Sequence, residues 1–195
     1  MAFSADSPIL SASRQGSPDQ CVRFIMARPH GEYNEVDVAG SIVPAYFAVC
    51  ASVGMEPVML IAQMIHETGN LSSWWAQRPR RNPAGIGVTG RTNAAQPVSG
   101  IWAIKNGAWV EGVSFESWKD SSIPAHAGRL LAYALGDAQS NPAQFDVIKR
   151  ALGFRPLPAS FRGAAPSWRG LNGRWAVPGT TYADKIAAIA NAIIT

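Results

Sequence analysis

The sequence predicts an α+β protein that is mainly helical, with a small β-hairpin lobe set among the helices. Apolar residues recur at helical spacing before residue 70 and after residue 122, whereas Gly, Pro, Trp and Arg replace that pattern in between. At 195 residues and 47% hydrophobic, the chain is long enough for one packed core. We expect a single domain over residues 17–195, with a cleft between its lobes, after a loose arm over residues 1–16.

The first two helices have recognisable ends. Ser17-Pro18-Asp19-Gln20 has the pattern of a capping box, which predicts a helix that ends near Arg28. A second helix is predicted from about Asp37 to a stop at Gly54. Pro44 lies inside it and predicts a kink or a late start.

A third helix, from Pro57 to His66-Glu67-Thr68-Gly69, is predicted to lie in the middle of the domain. Between Val58 and Ile65 the only polar residue is Gln63, so this helix has no solvated face. Proline at the first position and glycine just past the end suit a helix with these bounds. Glu67 therefore belongs to the last turn, where the chain leaves the core.

Glu67 is the first candidate for catalysis. The unpaired carbonyls of a helix C-terminus carry partial negative charge, and apolar surroundings add to their effect. Both disfavour the carboxylate and raise its pKa, and an acid that is protonated near neutral pH can protonate a leaving group. Spacing alone leaves open that Glu67 only ends the helix and faces water. Gln63, one turn earlier, would brace this acid or pack in the core.

The remaining elements follow from periodicity and turn residues. Segments 101–105 and 108–115 flank Asn106-Gly107, the strongest two-residue hairpin signal. Helical spacing returns over residues 123–134 and 142–152, before an irregular segment over 154–179. The last helix carries an apolar stripe at Tyr182, Ile186, Ile189 and Ile193.

Composition argues against several classes of protein. The net charge is +4, but no cluster of five Lys and Arg occurs, which disfavours nucleic acid and suits an anionic polymer such as cell wall. No run of 18 apolar residues predicts a membrane span, and residues 1–17 lack the pattern of a signal peptide. Cys21 and Cys50 are expected as buried free thiols rather than as a pair.

Motifs for metal, covalent and phosphate chemistry are absent from the sequence. His30, His66 and His126 lie in three separate segments, and His66 lacks the second histidine of a zinc H-E-x-x-H site. No G-x-S-x-G nucleophile elbow occurs, and no strand precedes the glycines at 85 and 87 as a phosphate loop requires. We expect no metal and no cofactor.

Two further features favour a glycan as the ligand. Trp74, Trp75 and Trp102 are candidate platforms for sugar rings, although tryptophans of so small a lobe can equally fill its own core. The turn Asn82-Pro83-Ala84-Gly85 would set the Asn82 amide and the backbone near Gly85 opposite Glu67, or is a plain loop turn.

These motifs occur together, in one order, in a known family. They are Ala62-Gln63-x-x-x-Glu67-Thr68-Gly69, Asn82-Pro83-Ala84-Gly85-Ile86, Asn106-Gly107-Ala108-Trp109-Val110, Phe115-Glu116-Ser117-Trp118 and Trp175-Ala176-Val177-Pro178-Gly179-x-x-Tyr182-Ala183-x-Lys185-Ile186. From about Pro57 to Thr195 the chain resembles the bacterial β-N-acetylglucosaminidase domain of glycoside hydrolase family 73, which is found in autolysins, flagellar muramidases and phage lysins.

The resemblance implies a lysozyme-like bundle with a small β lobe, and an endo-β-N-acetylglucosaminidase that cuts the β-1,4 bond after N-acetylglucosamine in peptidoglycan. Glu67 matches the general acid of the family, and Tyr182 matches a tyrosine that supports the reaction centre. The implied partners are peptidoglycan glycan strands, at the cell wall or outside the cell. The export route stays open, release as a phage lysin included, and we expect a monomer.

The chain departs from the family at one position. Relatives often carry a second carboxylate just ahead of the hairpin turn, but residues 100–105 contain none, and Glu111, Glu116 and Asp120 are the nearest acids. The substrate's 2-acetamido group would then attack the anomeric carbon, or a muramic acid 6-hydroxyl would do so in a lytic transglycosylase. The sequence also leaves open a muramidase, a non-catalytic wall-binding module and a zinc amidase that uses the three histidines.

Overall fold

The helices and strands follow the order that the sequence predicts. The computed structural model describes residues 2–136 and 141–195. Its α-helices are α1 (Pro18–Met26), α2 (Glu35–Asp37), α3 (Val43–Val53), α4 (Pro57–Thr68), α5 (Ile123–Leu135), α6 (Pro142–Phe154) and α7 (Tyr182–Ile194). Its strands are β1 (Thr92–Asn93), β2 (Trp102–Lys105) and β3 (Ala108–Glu111). The fold is α+β and mainly helical with a small β lobe, as predicted.

The predicted cap of α1 is confirmed. The Gln20 N–H donates to Ser17 Oγ at 3.3 Å, and the Ser17 N–H donates to Gln20 Oε1 at 2.9 Å. The two residues thus satisfy backbone donors at the helix start reciprocally, as a capping box does.

Proline shapes the second helical run. The run begins at Glu35, ahead of the predicted Asp37, and passes from α2 through the π-helical turn Val38–Ile42 into α3. Pro44 has no N–H to donate and its ring crowds the preceding turn, so the backbone widens there and Val43 bonds five residues back. The predicted disturbance at Pro44 is therefore a π turn, and Gly54 ends α3 at φ 76° as predicted.

The helix α4 forms the centre of the core. Every residue from Pro57 to Ile65 is buried, and the helix packs against α3 and α7. Gly69 follows it in the left-handed region at φ 57°, a conformation that glycine adopts without strain. The predicted bounds and central position of this helix are confirmed.

The β lobe contains the predicted hairpin and one more strand. Lys105 pairs with Ala108, so Asn106-Gly107 is a two-residue turn, with φ values of 51° and 80°. Positive φ at both residues is the geometry that this dipeptide favours in hairpins. The short β1 pairs with β3 on the side away from β2, giving the order β1-β3-β2.

The N-terminal segment corrects one expectation. Residues 2–16 contain no helix, but they are not loose, because Phe3, Ala5 and Ile9 are buried in the main core. The Phe3 N–H donates to Asn191 Oδ1 on α7 at 2.7 Å. The extent of the domain itself stays a prediction.

Two features of the α1–α3 region bear on expectations drawn from the sequence. Cys21 and Cys50 are free and buried, as predicted. The run Glu35–Val53 is long and apolar enough to cross a membrane, with a mean hydropathy of 1.6, which was not expected from the apolar runs in the sequence. Val38 and Tyr46 of this run are fully buried in the domain core, whereas Val36 is exposed.

Candidate active site

Glu67 lies in an open cleft of about 810 Å³. The walls come from the loop 84–89, which precedes the β lobe, from α5, and from the irregular segments on either side of Phe161 and Trp175. The residues that line it are Glu67, Ala84, Gly85, Ile86, Gly87, Val88, Thr89, Arg129, Tyr133, Arg155, Pro156, Leu157, Pro158, Phe161, Arg174 and Trp175.

Two side chains hold the Glu67 carboxyl group by the same oxygen. Trp175 Nε1 donates to Glu67 Oε1 at 3.0 Å, and the Tyr182 hydroxyl donates to that oxygen through a short hydrogen bond. Glu67 thus faces the cleft and not bulk water, which decides between the two placements that its sequence position allowed. Because Oε1 accepts from both donors, the proton of the neutral acid belongs on Oε2.

Burial dominates the acidity of Glu67. It raises the pKa of the carboxyl group above its usual 4.5, while the hydrogen bonds from Tyr182 and Trp175 favour the carboxylate and oppose the rise. Burial also raises the pKa of Tyr182 well above 10, so its hydroxyl remains a donor. The site therefore combines burial, which favours the neutral acid, with two donors that favour the anion formed when the proton leaves.

A chain of buried polar groups runs behind Glu67. Gln63 Nε2 donates to the Tyr182 hydroxyl at 2.7 Å, and Gln63 Oε1 lies 3.0 Å from Nε2 of His126. Nδ1 of His126 lies 3.0 Å from the Tyr46 hydroxyl. All of these side chains are buried, and Tyr46, Gln63 and His126 are completely inaccessible to solvent. We call Tyr46, His126, Gln63 and Tyr182 the polar relay.

The protonation state of His126 sets the direction of the polar relay. Burial lowers its pKa to about 3, so the ring is neutral and has one N–H. Gln63 Oε1 can only accept, which places the hydrogen on His126 Nε2 and leaves Nδ1 to accept from Tyr46. Every hydrogen bond of the relay therefore donates toward Glu67.

Part of this arrangement was predicted from the sequence. Glu67 and Tyr182 were predicted site residues, and the structure brings them into direct contact. Gln63 packs in the core and also supports the site, because it hydrogen-bonds to Tyr182 and not to Glu67 itself. His126 and Trp175 were missed. His126 is a polar residue on a helix that is otherwise apolar around it, and such a residue needs a buried partner, which is the signal that could have found it.

Asn82 is placed beneath the cleft. Its Nδ2 donates to the carbonyls of Ile86 and Val113, and its Oδ1 accepts from the N–H groups of Ala84 and Ile86. Its two donors and two acceptor positions are thus all used inside the protein. The expectation that this amide faces the acid is corrected, because Asn82 instead shapes the loop that lines the cleft.

Gly85 stands on that loop at the cleft surface. Its φ is 60°, and a Cβ atom added there would meet no other atom within 4 Å. The backbone conformation, more than the space, therefore favours glycine at this position. Its predicted contact with substrate stays a prediction that its location supports.

The three predicted sugar platforms do not line the cleft of Glu67. The Arg80 guanidinium carbon lies 3.7 Å from the ring centroid of Trp74, and Trp75 packs edge-on against Trp74 with a 4.8 Å centroid separation. Trp102 Nε1 donates to the Ser99 carbonyl at 2.8 Å. Trp175, which was not proposed as a platform, is the tryptophan that the cleft exposes.

The acids considered as replacements for a second carboxylate lie elsewhere. Glu111 is buried, accepts a hydrogen bond from Thr89 Oγ1 and lies 3.6 Å from Arg91. Glu116 and Asp120 are exposed and take no part in lining the cleft. Among residues 2–136 and 141–195, Glu67 is the one carboxylate in the cleft lining.

The histidines do not converge. The His30 ring bonds to the Arg28 carbonyl, the His66 ring packs edge-on against Tyr182 with a 5.5 Å centroid separation, and His126 belongs to the polar relay. No group of three or more His, Cys, Asp or Glu side chains in the described part of the chain could hold a metal ion. The three-histidine zinc site that an amidase requires is therefore not formed.

A solved autolysin domain is similar to this chain. It is the catalytic domain of the autolysin Auto from Listeria monocytogenes, with a TM-score of 0.46 and 17% sequence identity over 92% of this chain and 88% of that one. No protein-family model and no curated protein matches the chain.

Proposed function

We propose that this chain is a peptidoglycan hydrolase that cleaves the glycan strand with Glu67 as general acid. The observation that carries the proposal is a buried carboxyl group of raised pKa that opens on a cleft and is held at one oxygen by two donors. The sequence motifs that resemble the glucosaminidase family, Glu67 and Tyr182 among them, supply the substrate class.

The proton leaves from Glu67 Oε2. As the bond between the anomeric carbon and the glycosidic oxygen breaks, that oxygen takes the proton and Glu67 becomes a carboxylate. The donors Tyr182 and Trp175 then face a full negative charge, so their hydrogen bonds strengthen as the reaction proceeds. Donors that bind the product state of the acid more tightly than its ground state lower the barrier.

The substrate supplies the nucleophile in this proposal. With Glu67 as the one carboxylate in the described cleft lining, the carbonyl oxygen of the 2-acetamido group bonds to the anomeric carbon while the glycosidic bond breaks. Water then opens the resulting oxazolinium ring and returns a proton to the Glu67 carboxylate. Both sugars of peptidoglycan carry a 2-acetamido group, so the choice of the bond after N-acetylglucosamine rests on the resemblance to the glucosaminidase family. The proposed enzyme is thus an endo-β-N-acetylglucosaminidase, and we propose that it acts at the cell wall as a monomer.

Digestion of purified peptidoglycan by the wild type and by Glu67→Gln, followed by mass spectrometry of the soluble fragments, tests the proposal. We expect reducing-end N-acetylglucosamine from the wild type and from the control Glu116→Gln, which removes an exposed carboxylate outside the cleft. Glu67→Gln is expected to release no fragments.

Other products would assign another function. Reducing N-acetylmuramic acid would indicate a muramidase, and its anhydro form a lytic transglycosylase, with the acid retained in both. Intact wall binding without fragments from any variant would indicate a binding module and would overturn the proposal.

A further inference from the structure

Three arginines line the cleft together with Glu67. Arg129 comes from α5, Arg155 directly follows α6, and Arg174 precedes α7. Glu67 is the one acidic residue in the described lining, and burial favours its neutral form. The described lining thus presents three positive charges without a compensating negative one.

Three arginines outside the cleft form ion pairs with carboxylates, whereas others, such as Arg80 and Arg81, donate to backbone carbonyls. These pairs are Arg78 with Asp37 at 2.5 Å, Arg91 with Glu111 at 3.6 Å and Arg169 with Asp6 at 2.6 Å. None of the three cleft arginines forms an ion pair with a carboxylate of residues 2–136 or 141–195. The cleft arginines therefore lack, among the described residues, the carboxylate that balances the charge of Arg78, Arg91 or Arg169.

Arg129 is the cleft arginine whose positive charge is most disfavoured by its surroundings. It is half-buried, its Nη1 donates to the Arg155 carbonyl at 2.9 Å, and its guanidinium carbon lies 6.0 Å from the ring centroids of Tyr133 and Trp175. Burial lowers the pKa of Arg129, and the positive charge of Arg155 lowers it further. A guanidinium nevertheless stays charged in proteins, so the positive charges of Arg129 and Arg155 repel each other in one wall of the cleft.

We propose that Arg129, Arg155 and Arg174 form a subsite for a carboxylate carried by the lactyl-peptide arm of muramic acid. The inference rests on the proposed function, since N-acetylglucosamine is neutral and this arm is what brings carboxylates to a peptidoglycan strand. Guanidinium groups match the two oxygens of a carboxylate, and an anion bound there would relieve the repulsion between Arg129 and Arg155. The subsite makes the cleft selective for peptidoglycan over a neutral glycan of the same backbone.

Binding to a catalytically silent protein tests the subsite apart from turnover. Calorimetry with Glu67→Gln uses three soluble probes: chitotetraose, which is neutral, a peptide-free oligomer of N-acetylglucosamine and N-acetylmuramic acid with free lactyl carboxylates, and the same oligomer with its stem peptides. We expect both anionic probes, or one of them, to bind at least tenfold more tightly than chitotetraose. The probe that gains most identifies the lactyl group or the stem as the source of the carboxylate.

Single arginine changes in the same background sharpen the test. Arg155→Gln and Arg174→Gln are each expected to weaken binding of the preferred anionic probe by about tenfold and to leave chitotetraose binding unchanged. Arg23→Gln is the matched control, because it removes one exposed positive charge on α1, away from the cleft. It is expected to change neither affinity, which separates a local contact from the effect of net charge.

The outcomes distinguish this inference from the proposed function. Equal affinity for neutral and anionic probes would overturn the subsite, even if the wild type cleaves peptidoglycan. So would an equal loss of affinity for the anionic probe in the Arg155→Gln and Arg23→Gln variants. Tighter anionic binding that depends on Arg155 and Arg174, in a wild type that cleaves nothing, would uphold the subsite and defeat the proposed hydrolase.

Discussion

The polar groups behind Glu67 have hydrogen-bond partners within the protein, whereas the charged groups in front of it have no carboxylate partner among the described residues. Behind it, the polar relay is buried and each member is hydrogen-bonded to the next, from Tyr46 to the carboxyl group. In front of it, the arginines of the cleft have no carboxylate partner among the described residues. The hydrogen bonds of the polar relay are satisfied without a ligand, whereas the charges of the cleft arginines are not balanced. This arrangement is expected of a preorganised acid beside a binding surface.

The largest expected effect comes from removing the acid. Glu67→Gln keeps the size of the side chain but has no proton of suitable acidity, so turnover should fall by about a thousandfold or more. The free energy of unfolding near neutral pH should not fall, because burial disfavours the Glu67 carboxylate. Rates of fragment release test the loss of turnover, and denaturant midpoints of the wild type and Glu67→Gln test the unchanged stability. Turnover retained by Glu67→Gln would mean that another group is the general acid.

Tyr182→Phe tests the junction between the two sides. It removes one of the two donors to Glu67 Oε1 and leaves Gln63 Nε2 without its acceptor. Turnover should fall by about ten- to a hundredfold, because the anion formed in the reaction loses a charge-assisted hydrogen bond. The pKa of Glu67 should rise further, so the loss of activity on raising the pH should move to higher pH.

A pH–rate profile of Tyr182→Phe against the wild type measures that shift. Tyr33→Phe is a suitable control, since it also removes a buried tyrosine hydroxyl, one that donates to the Ala76 carbonyl outside the cleft. If the pH–rate profile of Tyr182→Phe keeps the position of the wild type, and its rate falls only as much as that of Tyr33→Phe, Tyr182 only supports the fold.

The back of the site should also govern stability in acid. The pKa of His126 is lowered from 6.5 to about 3 in the folded chain, so the unfolded chain takes up the proton first as the pH falls. Stability from this group is present above pH 6.5 and is lost as the pH falls toward 3. Between pH 7.5 and 4.5 the loss should be about 2–3 kcal/mol.

Denaturant unfolding of the wild type and His126→Phe at these two pH values isolates the effect. The variant is expected to be less stable at pH 7.5, because Gln63 and Tyr46 lose a partner, but to lack this part of the pH dependence. Identical pH dependence of the two proteins would mean that His126 is not held neutral.

The smallest effect is expected at the tryptophans outside the cleft. Trp74→Ala should change the turnover of a soluble glycan oligomer less than about threefold, whereas Trp175→Ala should reduce it by at least about tenfold because Trp175 lines the cleft and contacts Glu67. Steady-state kinetics of Trp74→Ala and Trp175→Ala measure this difference in turnover. A larger effect of Trp74 would restore it as a sugar platform.

The sequence predicted what local patterns determine. Helix α4, its glycine stop and the Asn106-Gly107 hairpin each depend on neighbours in the chain, and all were found. The polar relay joins residues far apart, His126 to Tyr46 and Tyr182 to Gln63, so periodicity assigned its members only to helix faces. The same reason explains the N-terminal segment, where the burial of Phe3 depends on α7 at the other end of the chain.

Burial favours the protonated form of Glu67, while the polar relay and Trp175 are placed to stabilise its anion. A carbon-13 titration of the side-chain carboxyl groups, with Glu67→Gln to assign the signal, measures this directly. We predict a Glu67 midpoint above the usual 4.5, rising further in Tyr182→Phe. A midpoint at or below 4.5 would show that the donors outweigh burial, and would contradict the assignment of Glu67 as the acid.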